Sequence, residues 1–149
     1  MLFRSDEGLR ETYVTARRTP GGTASLATED GPVSTPALAH YLAEAGVTLA
    51  TGWKADINLR AADWIADVVD RLERGFIVLF DYGHAADELF SARHAGGTIM
   101  AFSRHQAAGS EGPQDDRPAW LDRPGEQDLT AHVDFSTVQR VAEIGRAHV

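Results

Sequence analysis

A short polar sequence, Asp-Tyr-Gly-His at residues 81–84, follows directly after an apolar run at residues 76–80. The run reads Phe-Ile-Val-Leu-Phe without alternation, which is typical of a strand buried on both faces in a parallel sheet. Because open α/β sheets bind ligands beyond the carboxyl ends of their strands, Asp81 and Tyr82 occupy a position suited to a functional site. The alternative is a turn in which Asp81 accepts a hydrogen bond from nearby backbone.

Residues 96–105 form a second candidate segment. A glycine pair precedes an apolar stretch that ends in Arg104 and His105, which indicates another strand with polar groups at its end. An imidazole at that place could accept a proton or orient a substrate. Composition alone favours the other interpretation, in which His105 is a surface residue on a loop.

The third candidate segment, residues 124–135, is dense in hydrogen-bonding side chains and contains Asp128, His132 and Asp134. Alternation of apolar and polar residues over 129–134 predicts a short strand. Asp134 then precedes a final apolar-periodic stretch, so it is also a candidate helix N-cap.

Several kinds of site lack their usual sequence pattern. Histidine and aspartate suit zinc or iron, but no two histidines have HxH or HxxxH spacing, and we predict no metal site. The sequence contains no GxSxG elbow and neither GxGxxG nor GxxxxGK[S/T]. The absence of cysteine excludes a thiol nucleophile and fits a reducing compartment.

Local signals predict the elements that would position these residues. Strand-like segments around Gly21 and Gly22 predict a hairpin over residues 11–28. A hydroxyl cap at Ser34 or Thr35 and a proline in the first turn open a helix that ends before Gly46.

The clearest helix spans residues 58–74, with Asn58 as its cap and Gly75 after its end. Its apolar residues recur at helical spacing and its aspartates lie on the other side. Together with residues 76–80, this helix forms half of an αβ unit.

Composition narrows the class of protein. The chain has 149 residues, of which 43% are hydrophobic and 24% charged, a balance ordinary for one globular domain. The formal net charge is −8 and no basic cluster is present, so nucleic acid is not an expected partner. No apolar run approaches the ~20 residues of a membrane helix, and we see no signal peptide.

Residues 1–5 and 143–149 resemble translations of a common sequencing adapter. We therefore expect the native stretch to cover residues 6–142, where acidic residues still outnumber basic ones and the charge argument is unchanged.

The three candidate segments, taken in order, resemble the MidA family of methyltransferases, which includes a mitochondrial complex I assembly factor. The resemblance extends from about residue 34 to residue 141 and is most specific over residues 124–135. It also covers residues 56–64, where the family more often has Glu in place of Asp56.

The resemblance implies an α/β protein, specifically a fragment of a Rossmann-like class I methyltransferase sheet with flanking helices, here preceded by the N-terminal hairpin. Residues 76–80 would be the fifth strand. The implied cofactor is S-adenosylmethionine, which donates a methyl group to a nucleophile. The mitochondrial relative dimethylates an arginine of a complex I subunit, so a protein substrate such as a respiratory-chain subunit is the implied partner.

The chain departs from the family in lacking the cofactor half. The glycine loop after the first strand and the acidic residue after the second have no match here, so we expect no cofactor-binding residue in this chain. We expect the chain alone to be inactive and prone to aggregate. By family resemblance, the parent would be cytoplasmic in bacteria and mitochondrial in eukaryotes.

Methylation of a guanidinium needs carboxylates that position it and balance its charge. The candidate catalytic residues, all on the acceptor side, are Asp81, Tyr82, His105, Asp128, His132 and Asp134. Two other interpretations remain open: a non-catalytic assembly factor that binds a partner subunit, and an independent α/β binding module of different ancestry.

Overall fold

In the computed structural model, which describes residues 1–18, 24–103, 106–108 and 118–146, the N-terminal part is an antiparallel sheet. Its strands are β1 (Leu2–Ser5), β2 (Gly8–Arg18), β3 (Ala24–Gly31) and β4 (Lys54–Ala55), in the order β3-β2-β1-β4. Strands β2 and β3 pair from Glu11 opposite Gly31 to Arg18 opposite Ala24. The predicted hairpin is confirmed, although Gly21 and Gly22 lie outside the described residues.

Strand β1 lies within residues 1–5, the segment interpreted as adapter sequence. It pairs with β2 on one side and β4 on the other, and Leu2 is 1% exposed. These residues therefore contribute to the sheet and its core. The adapter interpretation stays a prediction, which resequencing of the source gene would test.

Helix α1 (Pro36–Glu44) begins as predicted, with the Thr35 side chain accepting a hydrogen bond from the Ala37 N–H. The chain turns at Gly46, whose φ of 67° is the left-handed conformation that glycine adopts without strain. Leu38, Tyr41 and Leu42 face inward and join the core formed by residues of the sheet and of later segments.

Helix α2 (Leu59–Arg71) is capped by Asn58, whose Oδ1 accepts a hydrogen bond of 3.2 Å from the Ala61 N–H. The helix ends at Arg71, before the predicted end at Arg74. It packs against the C-terminal helix α4 (Phe135–Arg146). Ile65 is the residue of α2 that is fully buried.

The predicted buried strand at residues 76–80 is wrong for this chain. All five residues are exposed, with Phe76 at 95% and Phe80 at 93%, and none of them lies in a strand. A strand of this composition needs a hydrogen-bonding neighbour and a helix on each face. Among the described residues none pairs with this segment, so its apolar side chains stay in contact with solvent.

Two small sheets complete the described structure. Strand β5 (Gly83–His84) pairs in parallel with β9 (Val133–Asp134). Strand β6 (Met100–Ser103) pairs antiparallel with β7 (Gln106–Ala108) and β8 (Asp128–Thr130). The fold is therefore mixed α/β, and within the described residues its parallel pairing is confined to β5 and β9.

A short helix, α3 (Ala86–Leu89), connects these sheets to the core. Its residues Ala86 and Leu89, with Phe90, pack into the same cluster as Leu2 and Leu42. None of the helices in the described part of the chain is long and apolar enough to cross a membrane.

Candidate functional site

A cleft of about 260 Å³ lies between the first turns of α2, helix α4 and the segment that leads into α4. Both apolar and polar side chains form its walls. The lining residues are Met1, Tyr41, Asp56, Ile57, Asn58, Ala61, Ala62, Ile99, Ala131, His132, Val133, Asp134, Thr137 and Val138.

Asp56 is the acidic residue of the cleft wall that retains hydrogen-bonding capacity. Its Oδ2 accepts the N–H groups of Thr98 at 2.6 Å and Ile99 at 3.1 Å. Its Oδ1 is buried and has no hydrogen-bond partner. A buried carboxylate oxygen without a donor is costly, and such an atom commonly indicates a place for a ligand.

The close approach of backbone to Asp56 depends on Gly97. This glycine has a φ of 89°, and a Cβ there would meet Oδ2 of Asp56 at 2.7 Å. Gly97, one of the glycine pair noted in the sequence, therefore lets the N–H groups of Thr98 and Ile99 reach the carboxylate.

His132 is connected to Asp56 through Thr98. The backbone N–H of His132 donates to the Thr98 hydroxyl at 3.2 Å, and Thr98 itself is 8% exposed. Thr98 thus links Asp56 and His132, which both line the cleft, in one hydrogen-bond network. A change in the position of one of these residues therefore affects the other two.

Asp134 is buried, and both of its carboxylate oxygens are occupied. Oδ2 accepts the hydroxyl hydrogens of Tyr41 and Thr137, each at 2.8 Å, and Oδ1 accepts the Thr137 N–H at 3.2 Å. Burial raises the pKa of the Tyr41 phenol above its usual range, and the adjacent carboxylate adds to the effect. Asp134 therefore acts as the predicted cap of α4 and anchors α1 to it.

Three histidines meet beside the cleft. The ring centroids of His84 and His94 are 4.8 Å apart, those of His84 and His132 5.0 Å, and those of His94 and His132 5.7 Å. Burial lowers the pKa of His132, and the nearby His84 and His94 lower it further. The His132 ring is therefore neutral near pH 7.

Glu88 holds two of these rings. Its Oε2 lies 3.2 Å from Nδ1 of His84, and its backbone carbonyl lies 3.1 Å from Nδ1 of His94. The hydrogen bond with His84 keeps the pKa of Glu88 below its usual value.

The other candidate residues do not line the cleft. Asp81 is exposed, and its Oδ1 accepts the Tyr82 N–H at 2.8 Å, a hydrogen bond from nearby backbone such as the alternative interpretation involves. The Tyr82 side chain is 85% exposed and Asp128 is an exposed residue of β8. His105 lies outside the described residues. Of the six candidates, the cleft brings together His132 and Asp134.

Asp56 was not among the predicted site residues, and the three-histidine arrangement was not predicted either. A usable signal existed for Asp56, because it directly precedes the helix cap and lies in a segment covered by the family resemblance. Sequence spacing offered no signal for His94, which lies in a 3₁₀ turn (Ala92–His94) apart from the recognised segments.

Comparison with known proteins gives a family match over residues 1–149, the whole chain. The family is described as "Putative S-adenosyl-L-methionine-dependent methyltransferase". Comparison with curated proteins gives no match.

Two solved structures, both of one superfamily and both from Burkholderia thailandensis, are similar in fold. An uncharacterized protein matches with a TM-score of 0.77 and 27% identity, over 97% of this chain and 34% of its own. A candidate methyltransferase with bound S-adenosyl-homocysteine matches with a TM-score of 0.76 and 26% identity, over 97% of this chain and 33% of its own. The chain thus spans about a third of the length of these relatives.

Proposed function

Because this chain belongs to the MidA family of candidate S-adenosyl-L-methionine-dependent methyltransferases, we propose that it is a part of such an enzyme and comes from the second half of its catalytic domain. In this proposal it forms the acceptor side of the active site. S-adenosylmethionine is held mainly by residues of the parent protein that precede this chain. The relative with bound S-adenosyl-homocysteine, the product of methyl donation, supports the cofactor assignment.

The observation that carries the proposal is the unpaired Oδ1 of Asp56 in the wall of the cleft. A guanidinium is planar, stays protonated and offers several N–H donors, so it pairs well with a buried carboxylate. We propose a protein arginine as the acceptor. Methyl transfer forms a bond from the guanidinium nitrogen to carbon, breaks the sulfonium–carbon bond of the cofactor and releases one N–H proton.

The other residues have supporting roles in this proposal. His132 orients the acceptor side through its hydrogen bond to Thr98. Asp134 stabilises the cleft wall, because its hydrogen bonds with Tyr41 and Thr137 connect α1 to α4. The exposed Asp81, Tyr82 and Asp128 are proposed to contact the substrate protein outside the cleft, and His105 remains a candidate proton acceptor. A respiratory-chain subunit is the proposed class of substrate protein.

A second candidate function is favoured by a different observation. Residues 76–80 expose a continuous apolar segment, which suits a protein that binds a partner without modifying it. In that case the parent is an assembly factor, and the cleft has no acceptor.

The test uses the parent gene at the length of the solved relatives. The protein is incubated with methyl-labelled S-adenosylmethionine and a set of arginine peptides, with arginine-to-lysine versions as controls. We expect label in the arginine peptides, and an Asp56→Asn variant that lowers kcat/KM at least about tenfold by weakening guanidinium binding. Asp70→Asn, an exposed acid of α2, is the matched control and should leave kcat/KM unchanged.

The same assay separates the remaining acids. Asp81→Asn and Asp128→Asn should each lower turnover by more than roughly tenfold if these acids act in the reaction. Unchanged turnover with a raised KM assigns them to contact with the substrate protein, and unchanged turnover with unchanged KM assigns them to structure. Cofactor binding without any methylated product, together with stable capture of a partner subunit, would favour the assembly-factor function.

A further inference from the structure

We propose that His84, His94 and His132 bind a divalent transition-metal ion of the zinc class, with water as a fourth, exchangeable ligand. This inference is independent of the proposed methyl transfer, because it concerns ion binding by this chain alone. It also replaces the expectation of no metal site, which rested on sequence spacing.

The first support is the distance between the potential ligand atoms. One ring nitrogen from each histidine lies within 4.8 Å of the other two, and all three residues are half-buried. In a tetrahedral zinc site with Zn–N bonds of ~2.0–2.1 Å, the nitrogens are about 3.4 Å apart. The difference of at most about 1.4 Å between the two spacings is of the size that rotation of an imidazole about its side-chain bonds produces.

The second support is the set of contacts behind the rings. A histidine that binds a metal through one nitrogen usually donates the N–H of the other to a carboxylate or a backbone carbonyl. Glu88 offers both kinds of acceptor: its carboxylate to Nδ1 of His84 and its carbonyl to Nδ1 of His94. Both rings are thus fixed in the tautomer that leaves Nε2 free to bind an ion.

The third support is the unsatisfied nitrogen of His132. Its Nδ1 is buried and has no hydrogen-bond partner. Buried polar atoms are nearly always paired, and a ligand is one of the ordinary explanations for an exception. With two rings oriented by Glu88 and a third holding an unpaired nitrogen, the cluster is better suited to an ion than to a purely structural stack.

Short, hydrogen-bonded elements hold the three residues. His84 lies in β5, which pairs with β9 immediately after His132, and the Val133 N–H donates to the Tyr82 carbonyl at 2.9 Å. The His94 N–H donates to the Ser91 carbonyl at 3.0 Å. An ion would therefore join three separate segments of the chain. Three imidazoles with an open position are a ligand set typical of zinc.

The experiment titrates the dilute 149-residue chain, freed of metal by a chelator, with Zn²⁺ by calorimetry and with Co²⁺ by visible absorption. We expect one ion per chain, an intense tetrahedral Co²⁺ spectrum and a higher Tm with Zn²⁺ present. His84→Ala, His94→Ala and His132→Gln should each weaken binding at least about tenfold. Glu88→Gln should weaken binding by about ten- to a hundredfold, because it removes the carboxylate that orients the His84 ring.

His40 is the matched control. Its Nε2 lies 3.3 Å from Oε1 of Glu44, at the same i,i+4 spacing as His84 and Glu88, but its side chain is exposed. His40→Ala should bind the ion as the unmodified chain does. The proposal is overturned if the unmodified chain binds no stoichiometric ion, or if His40→Ala weakens binding as much as His94→Ala.

Circular dichroism identifies any variant that fails to fold. Where a variant does not fold, chemical modification of the unmodified chain provides the test instead. Zn²⁺ should protect His84, His94 and His132 from diethyl pyrocarbonate and leave His40 reactive. Equal protection of all four histidines, or of none, would also overturn the proposal.

Discussion

The carboxylate of Asp134 joins parts of the chain that are far apart in sequence. It caps α4 through Thr137 and accepts the Tyr41 hydroxyl from α1. Because each oxygen is satisfied, this acid stabilises the wall of the cleft and has little capacity left for a substrate. Asp56, with one unpaired buried oxygen, has the opposite character. Two acids of the same cleft are therefore suited to different roles.

The contact between Tyr41 and Asp134 leads to a stability prediction. Tyr41→Phe should lower the free energy of unfolding by about 2 kcal/mol near pH 7, because it removes a buried hydrogen bond to a charged group. Urea unfolding followed by circular dichroism measures this difference. Tyr82→Phe is the control, because that side chain is 85% exposed and should change stability little.

The difference in free energy of unfolding between the unmodified chain and Tyr41→Phe should also depend on pH. The pKa of Tyr41 is raised by burial above its ordinary value of 10.0. In the unfolded chain this phenol loses its proton above pH ~10, whereas in the folded chain it keeps it. The advantage of the unmodified chain over Tyr41→Phe should be fully present below that pH and shrink as the pH rises further. A constant difference up to pH ~11 would contradict this assignment.

The contacts of the individual site residues are only partly encoded in the order of residues along the chain. His132 and Asp134 were predicted as site residues because they lie in one recognisable segment. The contact of His132 with His84 and His94 depends on three segments meeting in space, and spacing along the chain holds no information about it. Asp56 lies in a segment that the family resemblance covers, but its hydrogen bonds to the backbone of Thr98 and Ile99 depend on contacts in space that the sequence does not reveal.

Among the secondary-structure elements, the predicted helix starts are confirmed because the contacts that stabilise them are local in sequence. Thr35, Asn58 and Asp134 each accept a hydrogen bond from an N–H two or three residues ahead, so the cap alone indicates where the helix begins. The apolar run at residues 76–80 is different, because its burial requires neighbouring strands and helices. Its apolar composition indicates that the segment is suited to a strand position in a buried sheet. No described residue pairs with it there.

The parallel pair of β5 and β9 is the element on which the cleft and the histidine cluster both depend. Gly83 permits it, because a Cβ at this position would overlap the Val133 carbonyl and touch the Phe135 ring. Gly83→Ala should therefore separate the two strands and lower the free energy of unfolding by about 2–3 kcal/mol, the usual cost of overpacking.

The comparison for this prediction is Gly125→Ala. A Cβ at Gly125 meets nothing within 4 Å, although its φ of 85° makes alanine strained. We expect a smaller loss of about 1 kcal/mol there. Thermal unfolding of both variants measures the two losses of stability. Equal losses for Gly83→Ala and Gly125→Ala would mean that the contact with Val133 does not hold β5 in place.

For the molecule as a whole, the exposed apolar segment at residues 76–80 determines how copies of the chain associate with one another. The chain spans about a third of the solved relatives that it matches, and residues 76–80 expose five consecutive apolar side chains to solvent. An uncovered apolar segment with unpaired backbone favours association between copies. The net charge of −8 opposes that association only over a distance of about 10 Å at ordinary salt.

The exposed segment at residues 76–80 should cause copies of the chain to associate. The 149-residue chain should form large particles in light scattering as its concentration rises, and Phe76→Asp with Phe80→Asp should suppress them by placing two charges in the segment. The control is the double change Val14→Asp and Leu129→Asp, which adds the same charge at side chains that are 51% and 55% exposed elsewhere. If the control suppresses association equally, general charge repulsion is the cause. Suppression by the first pair alone locates the association in residues 76–80, because only there does the charge interrupt a continuous apolar surface.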